Sequence, residues 1–217
     1  MDKSDLTQRL KGRNPEQQKV IKYFYGIGGG CLSFISPGLK DEDYDAMVTA
    51  KAKSADYRQK ALSKIGLDET QVNEIEPVHF EGYLFDEKKN ILVIRGKDKL
   101  WRSSAYQISW IFFSSSQIYV YQYTFNMDED GKKESTEEYF YKDITNFTTT
   151  SDTVEKWGLD DPKGCGKSEP TYSRKNVDSN RFTITVPGDK FYCSMDQNDY
   201  TERAIQGMKA KLREKKG

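Results

Sequence analysis

The stretch 101-WRSSAYQISWIFFSSSQIYVYQYTFN-126 decides how this chain folds. Tyr106, Ile108, Trp110 and Phe112 recur at every second position, and so do Tyr119, Tyr121, Tyr123 and Phe125. Successive side chains of a strand point to opposite faces, so a period of two places each set on one face of a sheet. Aromatic rings fit a pleated, half-buried surface, and tyrosine tolerates a half-wet position. Two strands are therefore expected here, each with one aromatic face.

The same period extends outward. Strand-like runs precede the stretch at 78–85 and 91–95 and follow it at 138–141, 144–150, 182–186 and 191–195. Asp130-Gly131 and Pro187-Gly188-Asp189 carry turn chemistry between them. Short strands at even spacing imply a barrel or sandwich, and not a parallel sheet. The chain then changes period once more. Tyr200, Ala204, Met208 and Leu212 recur every four residues beside Ile205, so 198–215 reads as a helix with one apolar stripe that must lie against something.

Before Pro77 the spacing is helical. Asn14-Pro15-Glu16-Gln17 combines a capping Asn, a first-turn Pro and a Gln three residues after the cap. That helix is expected to stop in the glycines Gly26 and Gly28 to Gly30. Asp41-Glu42-Asp43 sets negative charge at the start of a second helix, whose apolar positions Tyr44, Met47, Val48, Ala55, Leu62 and Ile65 run to Gly66. Asp68 and Gln71 mark a short third helix over 68–75. The fold class is thus α+β: a helical region, residues 1–76, and about seven antiparallel strands in a barrel or sandwich capped by a C-terminal helix, residues 77–217.

Charge excludes some classes. The 217 residues hold 34 Lys and Arg against 34 Asp and Glu, a formal net charge of zero. Neither a polycation nor an acidic tail protein has that balance, and no domain is basic enough to predict nucleic-acid binding. The zero is a sum of opposites. Lys88, Lys89, Arg95, Lys97, Lys99 and Arg102 face only Asp98 between 88 and 102, whereas 126–143 is acidic and the closing helix is basic. The three cysteines, Cys31, Cys165 and Cys193, form no C-x-x-C pair, which argues against a zinc ribbon and a disulfide framework. MDKSDLTQRLKGRNPEQQ has no apolar core of the signal-peptide kind, and the apolar stretch 20–35 is short and broken by glycines. A cytoplasmic location without a transmembrane segment is expected.

The segments EYFYKDITNFTTT, from Glu138, and FTITVPGDKFYCSMDQNDYTERAIQGMKAKLRE, from Phe182, resemble bacterial pleckstrin-homology-like domains. The resemblance spans 77–214. It implies two near-orthogonal antiparallel sheets with the helix plugging one open end. It also implies binding, to lipid headgroups, peptides or the protein's own subunits, without catalysis or cofactor. The closing helix lacks the Trp usual in eukaryotic members, and the polar connector 151–180 has no counterpart in the pattern.

Several motifs carry candidate chemistry. In phosphoinositide-binding pleckstrin domains the loop matching 95–102 grips phosphates, so Arg95, Lys97, Lys99 and Arg102 become candidate anion ligands, with Trp101 entering a membrane interface; the plain alternative is a solvated hairpin. Asn126, Asp128, Asp130 and Glu137, with Gly131, fit a calcium-loop template, but Asn replaces the first Asp, Lys133 stands where an apolar residue belongs and the flanks are strands; a long hairpin turn with an acidic tip is the preferred reading. Gly164-Cys165-Gly166-Lys167-Ser168 ends like a phosphate-binding loop, yet Asp161 stands where the first Gly belongs. His79 is the only histidine, and no G-x-S-x-G motif accompanies it, so no catalytic residue is assigned.

The expected function is non-enzymatic binding or assembly, with a protein partner or another copy of the chain, through an exposed aromatic sheet and the helical arm. Peripheral binding to a membrane or a small anion through the Lys97 region is the alternative. A hydrolase with a carboxylate site ranks last.

Overall fold

The computed structural model describes residues 3–27, 38–86, 90–160 and 171–216. Cys31, Cys165, Lys88, Lys89, most of the early glycine run and the 164–168 motif lie outside the described residues. Four helices come first: α1 (Lys3–Leu10), α2 (Pro15–Phe24), α3 (Asp41–Ala52) and α4 (Tyr57–Ile65). Nine strands follow: β1 (Val78–Tyr83), β2 (Val93–Arg95), β3 (Trp101–Ser103), β4 (Ala105–Phe113), β5 (Gln117–Asn126), β6 (Lys132–Phe140), β7 (Asn146–Leu159), β8 (Tyr172–Val186) and β9 (Asp189–Ser194). Helix α5 (Asp199–Lys216) closes the order.

The strands form a four-stranded sheet, β1-β4-β5-β6, and a five-stranded sheet, β3-β2-β7-β8-β9. All neighbours are antiparallel except β2 and β7, which meet in parallel at Val93 and Gly158. The molecule is α+β with two sheets and a C-terminal helix, as expected from a barrel or sandwich capped by a helix; the described strands number nine and the sheets do not close into a barrel.

The aromatic stretch explains the layering. Strand β4 is buried at nearly every position because both of its faces are covered. One face presents Tyr106, Ile108 and Phe112, beside Tyr121 and Phe125 of β5, to Val20, Ile21, Phe24, Tyr44, Val48 and Leu62 of the helices. The other presents Ile111 and Phe113, with Ile118 and Val120, to Phe147, Phe182, Ile184 and Cys193 of the second sheet and to Ile205, Met208 and Leu212 of α5. The aromatic face expected to be an exposed partner surface is therefore covered by the helical arm. Tyr121 and Phe125 would expose a large apolar area without it, and each such ring contributes about 1.5–3 kcal/mol when buried.

Three more expectations change. The helix expected over 41–66 is two helices, because Asp56 caps a new start by accepting from Gln59 N at 2.9 Å. The short third helix is only a 3-10 turn, Glu69–Gln71; Asp68 and Gln71 form the capping box, but Glu74 N then bonds Phe113 O at 3.2 Å and joins the sheet. The described parts of the connector 151–180 are mostly strand. Strands β7 and β8 pair in unbroken register from Asn146↔Thr185 to Leu159↔Tyr172. Phe147 and Val154 lie on opposite faces of β7, and they serve different clusters: Phe147 packs with α5, Val154 with Phe85, Val93 and Val177.

Strand β9 ends the second sheet, but side chains of the first sheet meet its edge. Ser194 N donates to Gln107 Oε1 at 2.7 Å, and Gln122 Nε2 donates to Tyr192 O at 2.8 Å. Asp196 N donates to Glu81 O at 3.0 Å. These bonds tie the sheets together at one corner and leave fewer unpaired groups on that edge.

Candidate functional site

The basic candidate lies on the β2–β3 hairpin. Its turn is tight: Gly96 N bonds Leu100 O at 2.8 Å and Lys99 N bonds Gly96 O at 3.0 Å. Lys99 takes a left-handed φ of 69°, which aims its side chain outward at some backbone cost. Arg95 pairs across from Trp101, and its guanidinium stands 6.0 Å from the ring centroid while Nε bonds Lys99 O at 3.1 Å. Arg95, Lys97 and Lys99 are exposed, and among the described residues none of them is in an ion pair.

Arg102 behaves differently. Its side chain is only 3% exposed. Nε and Nη2 reach Asp45 of α3 at 2.8 and 2.7 Å, and Nη1 and Nη2 reach Asp98 at 3.0 and 2.6 Å. These bonds keep Arg102 firmly protonated and pull the Asp98 carboxyl down to about 2. Asp41, one turn before Asp45, accepts from Lys97 N at 2.7 Å and from the Tyr23 hydroxyl at 2.8 Å. Tyr83 donates to Asp45 at 2.6 Å. Burial and these carboxylates raise the Tyr23 and Tyr83 hydroxyls, so both remain donors. The structure thus divides the sequence candidates. Arg102 is committed to carboxylates of the same chain, while Arg95, Lys97 and Lys99 surround an open tip.

Trp101 is half-buried. Its ring and the Lys175 stem lie over Gly158, where a Cβ would come within 3.6 and 3.0 Å of them. The apolar group that points outward is Leu100, 63% exposed. Sequence reading passed over it; the signal was its place beside Trp101, since alternation sends neighbours to opposite sides.

The acidic candidate is the β5–β6 turn, closed by Asn126 N on Gly131 O at 3.1 Å. Asn126 Nδ2 donates to Glu129 at 2.9 Å, Glu129 meets Arg13 at 2.9 Å, and Asp130 accepts from Gln17 at 2.6 Å. Asp128 is buried, and burial raises its carboxyl above the usual range even though Ser104 donates to it. Glu137 stands opposite Val120, well along β6. The four template side chains do not converge: Asp130 accepts from Gln17 of α2, Asp128 from Ser104, and Glu137 lies along the strand opposite Val120. Among the described residues no group of three or more His, Cys, Asp or Glu is placed to hold a metal ion.

Other chemistry is dispersed. His79 stacks on Trp110 at 4.7 Å, with Nε2 3.5 Å from Glu81. Glu81 is pulled down by His79, and Asp196 is pushed up by burial and by Glu81 and Asp45. Neither acid lines a cleft of about 180 Å³ beside Phe112 and Val72, nor one of about 260 Å³ between α5 and Thr149, Ser151 and Asn180. Both volumes fall below the usual range for small-molecule sites. No helix of the described residues is long and apolar enough to cross a membrane. Comparison with known proteins found no matching family model, no matching curated protein and no matching solved structure.

Proposed function

We propose that the chain is a non-enzymatic, cytoplasmic binding and assembly module of pleckstrin-homology-like type, and that the β2–β3 tip is its docking element for an anionic surface. One observation carries the reading: Leu100 projects from a tip whose cations Arg95, Lys97 and Lys99 have no carboxylate partner among the described residues. The only acid of the turn, Asp98, is already taken by Arg102. An apolar side chain ringed by free cations suits an interface of acyl chains below phosphates. Each cation near an anionic leaflet contributes about 1 kcal/mol, and the leucine adds an apolar term. The pleckstrin-like reading draws support from two facing sheets with a C-terminal helix packed beside their shared core. Its strand order departs from a simple meander, since β2 and β3 leave the first sheet.

Vesicle co-sedimentation tests the reading. Anionic vesicles at low salt should pull down the protein and neutral vesicles should not. Replacing Arg95, Lys97 and Lys99 with Gln should abolish the difference, and Leu100→Ser should weaken it. Equal, weak sedimentation with both vesicle types overturns the proposal. Assembly with a protein partner belongs to the same reading, and the unpaired edge of β6 favours it.

A further inference from the structure

Among the described residues strand β6 ends the first sheet and pairs only with β5. Its ladder is unbroken from Phe125↔Lys132 to Gln117↔Phe140, with no proline and no bulge. The bonds that flank it fix which backbone groups are free. Asn126 N bonds Gly131 O, and Tyr141 N bonds Ser116 O. Bonded and non-bonded pairs alternate along an antiparallel ladder. Lys133, Ser135, Glu137 and Tyr139 therefore bond β5, while Lys132, Glu134, Thr136, Glu138 and Phe140 turn their N–H and C=O groups outward. A regular free edge of this length is a template for another strand.

The side chains specify which strand. Two cations, Lys132 and Lys133, open β6, and two anions, Glu137 and Glu138, lie near its end. None of these four is in an ion pair among the described residues; Glu138 only accepts from Gln117 at 3.2 Å. Glu134 is already engaged, by Lys60 at 3.1 Å and the Tyr121 hydroxyl at 2.7 Å.

We propose that a second copy of this chain pairs with β6 antiparallel about a two-fold axis at Ser135. This inference rests on the assembly part of the proposed function and names the partner. In that register Lys132 faces Glu138 of the second copy, Lys133 faces Glu137, and Glu134 faces Thr136. Each relation occurs twice by symmetry. The outward groups of Lys132, Glu134, Thr136 and Glu138 then meet their counterparts in about eight backbone hydrogen bonds, and the two sheets become continuous. Neighbouring registers are worse. A centre at Thr136 sets Glu134 against Glu138, and a centre at Glu134 sets that residue against itself. Opposite charges across a pair stabilise it and like charges oppose it, so the pattern selects one register.

Sedimentation velocity over a concentration series tests this with the full chain. A dimer is expected at about 20 mM salt, weakening as salt rises because the charges are exposed. Reversing one end, Lys132→Glu with Lys133→Glu, should weaken dimerisation at least about tenfold. Adding Glu137→Lys and Glu138→Lys to that variant should restore it. Thr136→Pro removes only an outward N–H, so it should give a monomer with an unchanged circular dichroism spectrum. A wild-type monomer at all concentrations overturns the proposal, as does a one-ended reversal that leaves the dimer intact or a double-ended one that fails to restore it. Vesicle binding through the Leu100 tip that persists in a monomeric wild type would sink this inference alone. A dimer that ignores anionic vesicles would sink the docking reading alone.

Discussion

Arg102 and Asp45 form a two-pronged ion pair across 57 residues of sequence, with Nε–Oδ1 at 2.8 Å and Nη2–Oδ2 at 2.7 Å. The pair fastens α3 of the helical arm to the β2–β3 hairpin. Asp98 binds the same guanidinium from the other side. A buried ion pair seldom adds much net stability, but removing a partner leaves a charge without compensation. Asp45→Ala alone leaves Asp98 in place and should cost about 1–3 kcal/mol. Asp45→Ala with Asp98→Ala strands the guanidinium and should cost about 3–5 kcal/mol, at the lower end because both acids are partly solvated. Urea unfolding measures both. A double variant no weaker than Asp45→Ala would show that Arg102 is not held as described.

Gly96 makes this arrangement sterically open. A Cβ there would lie 2.3 Å from Arg102 Nη1, 2.6 Å from Asp98 Oδ1 and 2.7 Å from Asp41 Oδ2. No rotamer change frees three charged groups at once, since each is held by the others. Gly96→Ala should destabilise by about 1–3 kcal/mol. It should also raise amide exchange in the 96–100 turn and at the start of α3. Unchanged exchange there would mean that the carboxylates step aside freely.

How much of this was legible beforehand follows from which interactions are local. The Asn14–Gln17 capping box shows in sequence because its partners are three residues apart, and both its bonds form, at 3.1 and 2.9 Å. The aromatic strands and the stripe of α5 show because burial on one face repeats at a fixed period. The far half of β7–β8 did not show. Thr153, Glu155, Asn176 and Asp178 are exposed, so backbone pairing holds them in a strand without an apolar pattern. The break between α3 and α4 hid beneath apolar residues that continue the spacing across it. The fate of Arg102 was also hidden. Charge counting sees a cation near other cations, while its partner Asp45 comes from a helix far away in the chain.

Cys193 offers a separate check on the core between the sheets. It is fully buried beside Phe182, and burial pushes its thiol up to about 12. The thiolate is the reactive form, so Cys193 should resist thiol reagents in the native protein. With Cys31→Ser and Cys165→Ser removing the other thiols, labelling should follow global unfolding and rise with urea along the same curve as circular dichroism. Fast labelling in native buffer would mean that α5 opens without the rest of the fold.

Asp98 and Asp128 should pull the pH dependence of stability in opposite directions. Asp98 titrates at about 2 when folded, below its ordinary 3.8. Its contribution is complete above the unfolded value and is lost as pH falls through the folded one. Asp98→Asn should therefore lower stability at neutral pH and flatten the decline between about pH 4 and pH 2. Asp128 is raised by burial, so its charged form opposes folding at neutral pH, and that penalty fades as the carboxyl protonates in acid. Asp128→Asn keeps an acceptor for Ser104 and removes the buried charge. It should raise the midpoint of urea unfolding at pH 7 and lose that advantage below about pH 4. Thermal or urea unfolding across this range separates the two. Loss of stability at pH 7 in Asp128→Asn would mean that the bond from Ser104 and the attraction to Arg9 outweigh the cost of burying the carboxylate.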